Sequence, residues 1–259
     1  MIDLSGKKIL VFDLDGTLAE SKQSLDAEMS VLLDQLLGVM KVAIITGGGF
    51  VQLQKQVIEK IKFDIRKFKN LYIFPTKGAM MYAFDGLEWK KIYEMSLSSE
   101  DKEKIIQAFV KVREEVDFLP KEHTGEFLED RGSEFTFSAL GQDAAPEIKK
   151  HWDEDISKRI ELKKHLDKYL PEFSVEIGGS TSIDITQKSI NKAYAIEKLC
   201  SYLNLKKEDV LFIGDAIFEG GNDYCVTKTG VDNIDVDDYN ETKDIVRNII
   251  NLSLKNQDK

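Results

Sequence analysis

The chain is poor in the residues that staple or stiffen a small fold. It has two cysteines, Cys200 and Cys225, and three histidines. That excludes a disulfide scaffold, and no Cys/His spacing suits zinc. Both thiols read as reduced, mostly buried side chains. Four prolines in 259 residues, none in a Pro- or Ser-rich run, leave no low-complexity linker. No apolar run reaches the about 18 residues of a membrane span, and the N-terminus lacks an apolar signal segment. The expectation is a soluble, cytoplasmic protein with no membrane partner. Basic residues are also in deficit: 36 Lys and Arg stand against 46 Asp and Glu, a formal net charge of −10. This argues against nucleic acid as a partner. An anionic substrate must then be met by a local cluster of Lys, Arg, amides or metal.

What is present is enough apolar material for a normal core, 42% of residues, in one large domain or two modest ones. The first stretch alternates strand and helix: a strand over Ile9–Asp13, a helix over Ser24–Leu37 with Ser24 as N-cap, and a buried strand over Lys41–Thr46. Gly47-Gly48-Gly49 then turns into a helix through about Ile61, and Leu71–Phe74 is a further strand. Such alternation implies parallel strands with right-handed crossovers. The middle of the chain differs. Asp85-Gly86 marks a hairpin, a charged helix covers Ser99–Val116, and alternating strands fall at Phe127–Glu129 and Glu134–Ser138. A long charged helix over Pro146–Leu170 and a strand pair around Gly178-Gly179 follow. This block reads as an antiparallel sheet covered on one side by helices. The strand–helix pattern resumes at Asn191, with a helix to Leu203, a strand over Val210–Ile213 and a last helix over Thr242–Leu252.

Two of the buried strands break at acids. Lys7–Phe12 runs into Asp13-Leu14-Asp15-Gly16-Thr17, and Val210–Ile213 runs into Gly214-Asp215. Carboxylates at the carboxyl ends of parallel strands sit where open α/β sheets bind ligands. Converging acids repel one another unless a cation lies among them, which points to Mg²⁺. Asp13 and Asp15, two apart, can flank one phosphate, one as nucleophile and the other as general acid and base. Thr46 with Gly47-Gly48 offers a hydroxyl and bare backbone N–H groups to phosphate oxygens. Lys192, at the head of a helix, can neutralise the phosphate, with Lys188 as the competing lysine. Asp215 suits a hard cation, and Asn222 and Asp223 can hold metal-bound water or orient the lysine.

Together these residues resemble the haloacid dehalogenase superfamily of phosphatases and phosphomutases. DxDGT at Asp13–Thr17, the strand-end Thr46, Lys192, and GDxxxxGGND at Gly214–Asp223 match its four motifs in order. The resemblance implies a Rossmann-like core with a parallel sheet, an aspartyl-phosphate intermediate, and Mg²⁺ held by Asp13, the backbone carbonyl of Asp15, and Asp215. The inserted middle resembles the α+β type C2B cap of subfamily IIB (Cof-type). That sets a core over residues 1–83 and 187–259 and a substrate-selecting cap over 84–186. Ile44–Gly48, Arg131, Gly178-Gly179, Ser182-Ile183-Asp184 and the GGND loop are most similar to the eukaryotic-type phosphomannomutase branch. In that branch the residues matching Arg131, Ser182 and Asp184 contact the sugar phosphate, an Arg fork suiting two phosphate oxygens.

The departures set the expected activity. Further cap arginines of that branch align with Thr124 and Gln142, and Phe50 stands where an Asp usually follows the glycines. A mutase must hold a bisphosphorylated sugar in two orientations, and each lost charge-assisted contact is worth about 1.5–3 kcal/mol. The favoured expectation is a Mg²⁺-dependent phosphatase acting on a phosphorylated sugar or similar small metabolite. The alternatives are a phosphomannomutase or related hexose phosphomutase, and an idle phosphosugar-binding module. The chain can be a monomer or a homodimer.

Overall fold

The computed structural model describes residues 6–61 and 64–257. Its first sheet has seven strands in the order β11-β10-β1-β2-β3-β4-β5. β1 (Ile9–Asp13) pairs in parallel with β2 (Lys41–Ile45) on one side and β10 (Val210–Gly214) on the other. β3 (Leu71–Phe74) and β11 (Asp232–Asp235) extend the parallel part outward. β4 (Met80–Phe84) and β5 (Trp89–Glu94) close the far edge as an antiparallel hairpin.

The central strands are buried on both faces and their residues divide by parity. Leu10, Phe12, Val42, Ile44, Leu211 and Ile213 pack with α1 (Ala27–Val39) and α7 (Tyr239–Gln257). Ile9, Val11, Ala43, Ile45, Val210 and Phe212 pack with α6 (Lys192–Leu203). Helices therefore cover both faces. The chain leaves β1 toward β2 on one side and later returns through β10 on the other. Such a reversal opens a crevice at the carboxyl ends of the strands, and β1 ends there.

The helix starts follow side-chain caps. α1 begins at Asp26, whose carboxylate accepts from the Met29 N–H at 2.7 Å; the N-cap expected at Ser24 lies two residues too early, because the carboxylate at 26 satisfies the orphan donor. Asn191 caps α6 by accepting from the Tyr194 N–H at 3.2 Å, which fixes Lys192 as its first residue. The helix expected from Gly49 to Ile61 is a short α2 (Phe50–Leu53) running into a π-turn over Gln54–Ile58.

The chain divides into two compact units, residues 1–94 with 190–259 and residues 95–189. The divisions fall at 94/95 and 189/190, both C-terminal of the expected 83/84 and 186/187. The Asp85-Gly86 hairpin falls within the expected insertion, but its strand β4 pairs with β3 and so continues the first sheet. The second unit holds a four-stranded antiparallel sheet ordered β6-β7-β9-β8, from β6 (Leu128–Asp130), β7 (Glu134–Ser138), β8 (Phe173–Ile177) and β9 (Ser182–Gln187). Phe135, Phe137, Val175, Ile183 and Ile185 pack beneath α3 (Ser99–Glu115) and α5 (Ser157–Tyr169). The single long helix expected over Pro146–Leu170 is broken into α4 (Pro146–Trp152) and α5. Ile156 is left-handed there, and the buried Asp153 carboxylate accepts from the N–H groups of Lys158 and Arg159, starting a new helix. Among the described residues no helix is long and apolar enough to cross a membrane.

Candidate active site

Asp13 is the last residue of β1, level with Ile45 on β2 and one step past the Phe12–Ile213 pairing with β10. Thr46 and Gly214-Asp215 therefore leave their strands beside it. The Asp13 side chain is buried, and Oδ1 meets the Lys192 ammonium at 2.6 Å. The same ammonium bonds to Asp223 Oδ1 and reaches Asn222 Oδ1 at 3.5 Å. Lys192 thus joins Asp13 to the neighbouring Asn222 and Asp223, which the sequence places far from it. Lys188 instead is exposed and reaches the Pro171 carbonyl at 3.4 Å.

Asp13, Asp215 and Asp223 each present a carboxylate oxygen within 4.8 Å of the others. Asp215 is oriented by the Thr17 hydroxyl, which donates at 3.2 Å, and Asp223 Oδ2 accepts from the Ala216 N–H at 3.3 Å. This crowding needs glycine at Gly16, whose φ is +87° and where a Cβ would stand 2.1 Å from Asp215 Oδ2. Asp15 Oδ1 accepts from the Lys22 N–H at 2.5 Å, so the turn after β1 holds this carboxylate. Thr46 is buried; its hydroxyl accepts from the Gly48 N–H at 3.2 Å, and a Cβ at Gly47 would meet open space.

Burial pushes the Asp13 carboxyl up to about 7; the Lys192 ammonium pulls it down and the Asp223 charge adds to the rise. Burial raises Asp223 as well, against Lys192. Burial works to discharge Lys192, but Asp13 and Asp223 outweigh it and raise its proton affinity. Three carboxylates face one ammonium here, a surplus of acid that a divalent cation would offset. Asp13 Oδ2 is buried and, among the described residues, has no hydrogen-bond partner. A buried carboxylate oxygen left open costs free energy unless something binds it. All-oxygen donors and an open buried oxygen suit a hard cation such as Mg²⁺.

The expected sugar-phosphate residues lie in the second unit. Arg131 Nη2 donates to Glu129 at 2.7 Å and Nη1 to Glu134 at 3.4 Å. Asp184 accepts from the Thr136 hydroxyl at 2.9 Å, and the Ser182 hydroxyl accepts from the Gly179 N–H at 2.6 Å. Thr124 and Gln142 sit on adjoining loops, joined where Asp143 N–H donates to the Thr124 carbonyl at 3.0 Å. The Gln142 Nε2 is buried without a hydrogen-bond partner among the described residues. Phe50 stacks on Tyr82, ring centroids 4.0 Å apart, so the residue in the place of an Asp packs with the hairpin.

A family model for haloacid dehalogenase-like hydrolases matches residues 10–226, from the first acid motif through the last. The chain belongs to that family. Among curated proteins it is similar to the phosphomannomutase of Encephalitozoon cuniculi, 28% identical over 84% of this chain and 83% of that one. It is similar to the spinach (Spinacia oleracea) phosphomannomutase, 28% identical over 83% of this chain and 84% of the other. Mouse (Mus musculus) phosphomannomutase 1 is 25% identical over 83% and 81%. Two solved structures share the fold. The Plasmodium falciparum IMP-nucleotidase bound to IMP has a TM-score of 0.64 at 18% identity, covering 95% of this chain and 69% of its own. The Aspergillus fumigatus trehalose-6-phosphate phosphatase has 0.56 at 16%, covering 95% and 93%. This haloacid dehalogenase-like chain is an enzyme of phosphoryl transfer, a phosphatase or a phosphomutase acting by one chemistry.

One turn beside the site carries no catalytic motif in the sequence. The turn Pro75–Gly78 donates from Thr76 N–H to the Gly48 carbonyl at 2.9 Å and from Lys77 N–H to the Thr46 carbonyl at 2.8 Å. A Pro-x-x-Gly turn after a strand is the one cue that marks it.

Proposed function

We propose that the chain is a Mg²⁺-dependent phosphatase that hydrolyses a phosphorylated sugar through an aspartyl-phosphate at Asp13. The observation that carries this reading is the buried Asp13–Lys192–Asp223 array beside Asp215, with one Asp13 oxygen open. In the first step an Asp13 oxygen attacks phosphorus, the bond from phosphorus to the sugar oxygen breaks, and Asp15 gives its proton to the departing oxygen. In the second, Asp15 takes a proton from water, the water oxygen attacks phosphorus, and the bond to Asp13 breaks to release inorganic phosphate. Lys192, the Thr46 hydroxyl and the Gly47 amide bind the phosphoryl oxygens and balance their charge. Asp13, Asp215 and the Asp15 carbonyl would hold Mg²⁺, with Asn222 and Asp223 behind them; the bound ion supplies electrostatic stabilisation of the transferred group. Arg131, Ser182 and Asp184 of the substrate-selecting unit recognise the sugar end.

Hydrolysis is favoured over mutase chemistry by the state of Arg131. Its guanidinium is already engaged by Glu129 and Glu134, and Thr124 and Gln142 bring no charge to help it hold a second phosphate. The second reading, a phosphomannomutase, is favoured by the curated relatives, all similar along most of the chain. Incubation with Mg²⁺ and mannose 1-phosphate, with and without glucose 1,6-bisphosphate, separates them. Free phosphate without isomerisation is expected. Bisphosphate-stimulated mannose 6-phosphate would replace this reading with the second.

A further inference from the structure

We infer that Gly78 is a positioning residue: it lets helix α6 close against the Thr46–Gly48 loop, and so sets where the Lys192 ammonium meets Asp13. The inference rests on the phosphoryl-transfer reading of that site and adds a residue to it.

Lys192 opens α6, and Ala195 follows three residues later, one turn along the helix. Ala195 is fully buried. At Gly78, φ is +99°, and a Cβ would stand 2.5 Å from the Ala195 Cβ, 3.2 Å from its Cα and 3.4 Å from its N. Two of those three atoms are backbone, so relief requires the helix or the turn to move. The turn is itself held from three directions. Its Thr76 and Lys77 N–H groups bond to the Gly48 and Thr46 carbonyls. The Gly78 carbonyl accepts from the Tyr93 hydroxyl at 2.7 Å. Thr76 and Lys77 both adopt left-handed backbone, φ +49° and +57°, which residues with a Cβ rarely do. A turn strained at two positions and pinned to the phosphate loop transmits displacement at Gly78 to that loop and to the first turn of α6. Close packing leaves little slack in between. Lys192 and Thr46, which bind the same phosphoryl group in the proposed mechanism, then move apart together.

The test is a double-mutant cycle read by kinetics and by ligand binding. Gly78→Ala is expected to lower kcat for para-nitrophenyl phosphate roughly 10²-fold, the scale of a misplacement near 1 Å, with KM little changed. Its affinity for orthovanadate, a phosphoryl mimic that needs no turnover, falls with it. Ala195→Gly alone stays near wild type, and adding it to Gly78→Ala restores kcat and vanadate affinity in part. Should Gly78→Ala fail to fold, Tyr93→Phe, which loses only one side-chain hydrogen bond to the same turn, is expected to fold and to cost several-fold in kcat. Unchanged kcat in Gly78→Ala with only a lower melting temperature would overturn the inference, as would a deficit that Ala195→Gly leaves untouched, or wild-type kcat in Tyr93→Phe. A wild-type protein that neither turns over the ester nor binds vanadate would instead overturn the phosphoryl-transfer reading itself.

Discussion

Lys192 carries the charge balance of the site. Its ammonium lies between Asp13 and Asp223, almost entirely out of water. Removing one member of such a buried set leaves the others uncompensated, at about 3–5 kcal/mol. Burial already raises both Asp13 and Asp223, so they can take up protons and soften that cost. Lys192→Met is therefore expected to lose about 3 kcal/mol, measured by denaturant unfolding at neutral pH. Its kcat for para-nitrophenyl phosphate should fall roughly 10²- to 10³-fold, as when a transition-state donor is lost. Gly16 makes a separate residue-scale prediction. A methyl group there collides with the Asp215 carboxylate. In Gly16→Ala the Mg²⁺ concentration for half-maximal activity should rise roughly 10- to 100-fold, as for lost support of a ligand; an unchanged Mg²⁺ titration would remove Asp215 from the metal site.

At the scale of elements, α5 shows how a buried charge starts a helix. Asp153 accepts from the Lys158 and Arg159 N–H groups and pairs with the Arg159 guanidinium at 2.7 Å. Arg159 also donates to the Gly179 carbonyl at 2.6 Å, bracing the turn that carries Ser182. Burial alone would raise the Asp153 carboxyl, but Arg159 and the two amides outweigh it and hold it below its ordinary value of 3.8. A depressed folded value means stability that is present above the unfolded pKa and lost as pH falls through the folded one. Asp153→Ala should thus cost about 3 kcal/mol at pH 7, with the difference from wild type fading below about pH 4. Unfolding curves across that range check it; a pH-independent difference would mean that packing, not charge, is lost.

The same element explains what the sequence could and could not convey. Helical apolar spacing runs across Pro146–Leu170, so the break at Asp153–Ile156, made by the Asp153 carboxylate taking the Lys158 and Arg159 N–H groups, is not encoded in periodicity. β1, β2 and β10 were legible because strands buried on both faces are short continuous apolar runs. β11, Asp-Asn-Ile-Asp, has the composition of a loop and exists because β10 offers it an open parallel edge. The hairpin β4–β5 was legible as a hairpin from Asp85-Gly86. Its allegiance to the first sheet was not, since pairing with β3 is a non-local choice.

On the scale of the whole molecule, the acid motifs were readable because each sits where a buried run stops. Their meeting around Lys192 needed the strand order, with β1 between β2 and β10. Pro75–Gly78 is legible as a turn, but the close approach of Gly78 to Ala195, more than a hundred residues away, is not. The balance between hydrolysis and isomerisation is also a property of the whole chain, since one chemistry serves both and the acceptor differs. If the missing cap cations decide it, then Thr124→Arg together with Gln142→Arg should raise bisphosphate-stimulated mannose 6-phosphate formation relative to phosphate release. An unchanged product ratio would place the decision elsewhere.

The central claim is that phosphate passes through Asp13. The most direct measurement traps it: wild-type protein with Mg²⁺ and mannose 1-phosphate, quenched in acid during turnover, reduced with borohydride and digested for mass spectrometry. An acyl phosphate is reduced to the alcohol, so position 13 should be recovered as homoserine, with Asp15 and Asp215 unchanged. Asp13→Asn should show neither the product nor turnover. Homoserine at another position, or full turnover by Asp13→Asn, would contradict the account.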